Sequence, residues 1–209
     1  MRVRIRNALA TAPSQVLARL HRLTSDTRGV AAVEFAMILP IMFFLFVGTI
    51  EFGQALAVDR RVTLTASSSG DLIARVQKGI TSEELDSELQ IIKQLIRPYD
   101  ESALTVRIVN VVAKGKKGSV EYKVNWSKDN HGGTPYESNS DYSNMPENII
   151  KPGAGVIVAE AIYNYTPLIF NYFIKSAFDM EDRFFFLPRG ETKFGCVKLD
   201  EQAGICSNL

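Results

Sequence analysis

The sequence predicts an α+β chain: an N-terminal transmembrane helix with an extension, then a domain of one packed helix and an antiparallel sheet. Three observations predict it. No charged residue occurs from Phe35 to Ile50; apolar residues at three- and four-residue spacings continue beyond that run; and the second half alternates apolar and polar residues between Gly-, Asn- and Pro-rich stretches. With 209 residues, 46% apolar and 22% charged, the chain has the composition of one folded domain plus an appendage, not of a disordered tail.

The formal net charge of +1 hides a division. Residues 1–29 carry Arg2, Arg4, Arg6, Arg19, Arg22 and Arg28 against the single acid Asp26, whereas the remainder holds 18 basic and 22 acidic residues. A basic leader over 1–29 therefore precedes a membrane helix and its extension over 30–80 and a domain over 81–209. In the run FAMILPIMFFLFVGTI only Thr49 is polar, and Pro40 and Gly48 are the only helix breakers. Extending it back to Val30 gives 21 residues, about 31 Å of helix at ~1.5 Å per residue, enough to cross a hydrocarbon core. Phe43, Phe44 and Leu45 in succession leave no polar face, which argues against a buried core helix. Pro40 is tolerated in a membrane helix, where neighbours and local distortion satisfy the carbonyl it strands.

The arginines of the leader hold it in the cytoplasm, so the body crosses the bilayer; Arg60 and Arg61 oppose this orientation but are outnumbered. A cleaved secretory signal is the rival reading, because Ala55-Leu56-Ala57 has a small-x-small form. Residues 1–29 are long for the basic region of such a signal, and the polar stretch Glu51 to Gln54 interrupts the approach to the site.

Beyond the membrane, Val58, Val62, Thr65, Ile73 and Val76 continue a helical pattern to about Lys78, with a hinge expected at Ser67-Ser68-Ser69-Gly70. Thr81-Ser82-Glu83-Glu84 matches a capping box, and Leu85, Leu89, Ile92 and Ile96 form the apolar face of a helix that Pro98 stops. Leu104–Val109 and Val120–Trp126 flank a Gly-Lys loop and read as a hairpin, with Val120, Tyr122, Val124 and Trp126 pointing one way. Residues 127–153 read as a long loop in which Tyr136 and Tyr142 are exposed or suited to a partner. Val156–Tyr165 is a strand suited to an inner position, 168–180 a short helix, and Phe184-Phe185-Phe186-Leu187-Pro188-Arg189 a closing strand.

Little in the chain supports catalysis. His21 and His131 are the only histidines, and Cys196 and Cys206 lack the paired C-x-x-C spacing of a structural zinc site. No Ser-His-Asp or Cys-His set is recognisable, and neither a metal nor a cofactor is expected. The loop lysines Lys114, Lys116 and Lys117 read as a solvated turn on an acidic body, so no nucleic acid is expected. Gly153-Ala154-Gly155 lacks the context of a dinucleotide site. Asn125-Trp126-Ser127 and Asn164-Tyr165-Thr166 match glycosylation sequons, but both fall in or beside strands.

Glu34 is the residue the membrane segment must explain. A carboxylate at the centre of a bilayer costs about 2.5–3.5 kcal/mol, so either Glu34 has a partner or it lies among headgroups in the first helical turn, where the helix dipole favours an acid. It follows Gly29 by five residues and precedes Phe35. The sequence RGVAAVEFAMILPIMFFLFVGTIEFGQAL resembles the N-terminal segment of TadE-like minor pseudopilins of tight-adherence (Flp) pilus systems, and LTASSSGDLIARV, VIVAEAIYNYTP and FFFLPR are similar to later parts of the family.

The resemblance implies cleavage between Gly29 and Val30 by a prepilin peptidase, with Glu34 and Phe35 as recognition positions, in a protein of the bacterial inner membrane. Phe35 stands where the major pilins of these systems carry tyrosine, which favours a minor component. The resemblance implies a pilin-like periplasmic domain, other pilus or pseudopilin subunits as partners, and no enzymatic activity. Cleavage would free the Val30 α-amino group, which Glu34 of the same or a neighbouring subunit could pair with. In the periplasm a Cys196–Cys206 disulfide is expected. The alternative is a membrane-tethered periplasmic enzyme or binding domain with an uncleaved anchor.

Overall fold

The structure, a computed structural model, describes residues 29–76, 79–116, 119–146, 149–172, 177–190 and 196–200. The leader other than Gly29, and Cys206, lie outside them. The chain divides into two compact units, Met1–Ile50 and Glu51–Leu209. A single α-helix, α1 (Val30–Ala74), contributes to both.

In the first unit α1 continues unbroken through Pro40. Phe35, Met37, Phe43, Leu45 and Phe46 are all exposed, and the helix is long and apolar enough to cross a membrane. The hydroxyl of Thr49 donates to the Leu45 carbonyl at 2.8 Å, so the one polar side chain of the run is satisfied within the helix.

The second unit is an α+β domain. The remainder of α1 turns Val58, Val62, Ala66 and Ile73 into its core. Residues 51–74, which the sequence assigns to an extension of the membrane helix, thus share one core with the sheet. The hinge expected at Ser67–Gly70 is instead continuous helix. Gly70 serves a close approach: a Cβ there would lie 2.3 Å from the Phe186 ring and 3.0 Å from Ala159 Cβ. The helix ends at Ala74, whose carbonyl accepts from the Arg189 N–H at 2.7 Å, while the Arg189 guanidinium pairs with Asp71 at 2.9 Å. A terminal carbonyl is satisfied and a cation placed near the negative end of the helix dipole.

Helix α2 (Ser82–Ile92) begins with the expected capping box: the Glu84 N–H donates to Thr81 Oγ1 at 3.2 Å and the Thr81 N–H to Glu84 Oε2 at 3.0 Å. It buries Leu85, Leu89 and Ile92, and a 3₁₀ turn at Lys93–Ile96 carries Ile96 into the same core. The strands β1 (Leu104–Lys116), β2 (Ser119–Asp129), β3 (Gly155–Tyr165) and β4 (Phe178–Phe186) form an antiparallel sheet in the order β2-β1-β3-β4. Leu104, Val106, Ile108, Ile157, Ala159 and Ala161 face the helices.

The opposite face is also covered. Val109, Val111, Val124, Val156 and Val158 pack with Tyr142 and Ile150. The stretch read as a long loop therefore begins only after Asp129 and acts as a lid of core side chains. Part of it shields the outer edge of β2: the Val124 N–H donates to Ser140 O at 2.9 Å and the Tyr142 N–H to Tyr122 O at 2.8 Å.

The alternation expected along β2 is broken by a bulge. Asn110 pairs with Trp126 and Val111 with Val124, leaving Asn125 as the extra residue. Val120, Tyr122 and Val124 accordingly face the loop side, whereas Trp126 joins the helix-facing core. Its indole N–H donates to the Val197 carbonyl at 2.7 Å, docking the 196–200 segment, which also pairs with Ile80. Of the short helix expected over 168–180, the described residues show a 3₁₀ turn at Phe170–Tyr172, and from Phe178 the chain is already in β4, which therefore begins before the closing strand expected at Phe184.

Candidate functional site

The four residues singled out around the glycine sit together at the start of α1. Gly29 precedes the first helical residue, Val30, and a Cβ on Gly29 would meet nothing within 4 Å. Val30, Glu34 and Phe35 are exposed, and Glu34 makes no ion pair among the described residues. A five-residue separation thus becomes about one and a half helical turns, with the glycine and the glutamate both accessible to another protein.

The carboxylate that directly follows the apolar run is arranged differently. Glu51 is buried, and both its oxygens are engaged: Oε2 accepts from the Leu168 N–H at 3.1 Å and Oε1 accepts from the Ile169 N–H. Two backbone donors on one carboxylate offset the desolvation that its burial costs. The sequence marks Glu51 only as a break in the run, because its donors lie more than a hundred residues away.

Glu160 is the second engaged acid that sequence reasoning missed. It lies on the loop-side face of β3 and is fully buried. The Tyr142 hydroxyl donates to Oε1 at 2.6 Å, the Tyr136 hydroxyl to Oε2 at 3.0 Å, and Arg183 Nε to Oε1 at 2.9 Å. The Arg107 guanidinium approaches to 3.8 Å, and the two tyrosine rings meet edge to face at 5.5 Å. Burial, followed by the charge and hydrogen bond of Glu160, raises both tyrosine hydroxyls above their ordinary range. Tyr136 and Tyr142 are therefore fasteners of the loop, not exposed contact residues. The signal available in the sequence was an acid inside the apolar run VIVAEAI, which a buried strand accepts only with partners.

Asn110 and Asn125 at the bulge are buried as well. The Asn125 amide donates to Asn110 Oδ1 at 2.9 Å, and the Asn110 amide to the Val156 carbonyl at 3.2 Å. The sequon at Asn125 is thus enclosed. Cys196 is buried beside this pair, and its expected partner, Cys206, lies outside the described residues. Among the described residues no group of three His, Cys, Asp or Glu side chains is placed to hold a metal.

Comparison with curated proteins and with solved structures returns no match. The family model described as TadE-like protein matches residues 29–70. That match begins at Gly29, takes in Val30, Glu34, Phe35 and the whole apolar run, and ends at the glycine packed against Phe186; over this stretch the chain is similar to TadE-like proteins.

Proposed function

We propose that the protein is a pilus assembly protein: a membrane-anchored minor pseudopilin-like subunit, processed after Gly29, that helps initiate or assemble a Flp-type pilus. The observation that carries this reading is the TadE-like match over 29–70, starting at the glycine on which processing would act. The exposed start of α1 supports it, since a peptidase must reach the Gly29–Val30 bond and recognise Glu34 and Phe35.

In this reading the arm 1–29 is a cytoplasmic leader, 30–80 is the membrane helix and its extension, with 30–50 anchoring the chain in the bacterial inner membrane, and the extension lies in the periplasm with the domain 81–209. The partners are the prepilin peptidase and other pilus or pseudopilin subunits, and the role is structural. Cys196 carries no free thiol, which supports a Cys196–Cys206 bond in an oxidising compartment.

The test is the N-terminal sequence and intact mass of the protein from membranes of its native host, with and without a thiol-alkylating reagent under non-reducing conditions. The expected result is a chain starting at Val30 whose cysteines do not react. A start at Met1 overturns processing and favours a plain anchor, and a start at Val58 makes the apolar run a signal peptide.

A further inference from the structure

The apolar run ends at Ile50, and the residue that follows it, Glu51, holds the backbone of Leu168 and Ile169. This contact brings a segment distant in sequence to the first turn of α1 beyond the run. The two segments joined by this contact carry large exposed side chains: Phe52, next to Glu51 in the chain, is 66% exposed, Leu168 64%, and Tyr172, whose N–H donates to the Ile169 carbonyl at 3.1 Å, 90%. A water-facing protein surface does not gain by exposing large apolar and aromatic groups on segments that are tied together.

We propose that Phe52, Leu168 and Tyr172 form an interfacial foot that rests in the headgroup and upper acyl region of the bilayer the helix crosses. The partner is the lipid surface. Continuity selects it, because Phe52 lies two residues past the end of the apolar run on the same helix, less than one turn. The chemistry agrees: tyrosine and other aromatic side chains are favoured at membrane interfaces, where a ring is buried and a hydroxyl stays wet. Glu51 agrees as well. An acid at that depth is tolerated when its charge is spread over backbone donors, and those donors come from the foot itself. Glu51 is thus a positioning residue that fixes the 168–172 segment at the membrane edge.

The proposal rests on the reading of residues 30–50 as a membrane span, and the experiment separates the two. The full chain is reconstituted in phosphatidylcholine vesicles with or without brominated acyl chains, and tryptophan fluorescence is recorded. The native Trp126, buried in the sheet core, sets the background. Leu168→Trp reports the foot, Leu39→Trp the apolar run, and Ser143→Trp an exposed loop position. The expected result is that Leu168→Trp and Leu39→Trp lose intensity in brominated vesicles and Ser143→Trp does not. Adding Glu51→Ala to Leu168→Trp is expected to weaken that quenching. If Leu168→Trp behaves like Ser143→Trp while Leu39→Trp is quenched, the foot is overturned and the membrane anchor stands. Shielding of Leu168→Trp from aqueous quenchers without lipid quenching points to a protein partner and likewise overturns it. If Leu39→Trp is not quenched, the membrane reading fails and the foot fails with it.

Discussion

At the scale of single residues, Glu160 and the tyrosines above it show how a buried charge fastens a loop. Burial first, then the hydrogen bond and charge of Glu160, raise the Tyr142 hydroxyl above its ordinary value of 10.0. In the unfolded chain that hydroxyl ionises near pH 10, whereas the folded domain keeps it neutral. Its contribution to stability is therefore fully present below about pH 10 and is lost as pH rises toward the folded value. Melting temperature should fall above that point, and should fall less steeply in Tyr142→Phe. At neutral pH the same variant should lose about 1–3 kcal/mol, because Glu160 stays buried with one donor fewer. Melting curves from pH 7 to 11 measure both effects, and an alkaline profile parallel to that of the parent would exclude Tyr142 as the titrating group. None of this was legible from the loop, since Tyr136 and Tyr142 carry no local mark of burial; the partner acid stands on a strand 18 residues beyond Tyr142.

At the scale of elements, both α-helices and β1 to β3 were legible, whereas the start of β4 and two relations between elements were not. The capping box at Thr81 and the apolar spacing of Leu85, Leu89 and Ile92 define α2 by local chemistry alone. The run Ser67–Gly70 looked like a weak point because serine and glycine lower helix propensity, yet the missing side chain of Gly70 lets α1 lie close to Phe186 and Ala159. Gly70→Ala tests which effect dominates. Propensity alone predicts a gain of about 1 kcal/mol, and overpacking predicts a loss of about 1–3 kcal/mol. With Cβ placed 2.3 Å from the ring, overpacking should win, lowering the denaturation midpoint; a rise would mean that the Phe186 ring moves aside at little cost. The bulge at Asn125 reversed the facing of Trp126 in the same way, through pairing with β1 that no alternation rule contains.

At the scale of the whole molecule, the packing makes residues 51–74 part of the second unit. Val58, Val62, Ala66 and Ile73 are buried against β1, β3 and α2, so a chain cut at the sequence-derived boundary would lose one wall of its core. Losing the burial of these four side chains costs roughly 5–10 kcal/mol, comparable with the whole stability of an ordinary domain, about 5–15 kcal/mol. Residues 51–209 should therefore fold as a soluble domain with cooperative thermal unfolding, and residues 81–209 should not. Circular dichroism and melting of the two fragments decide the point. A cooperative transition in the shorter fragment would show that the sheet and α2 suffice without α1.

The sequence by itself determined the α+β class, the charged arm before the apolar run, the long apolar helix and the approximate positions of α2 and of β1 to β3, while β4 begins at Phe178, six residues ahead of the strand read at Phe184. These features follow from composition, period and caps, which act within a few residues of one another. The tertiary structure alone decided that α1 lies unhinged on the sheet, that the loop after β2 is a lid fastened to Glu160, and that Glu51 holds the amides of Leu168 and Ile169. Each of these depends on contacts between segments far apart in the chain, where a buried charge or a missing side chain acquires its partner only once the elements have met.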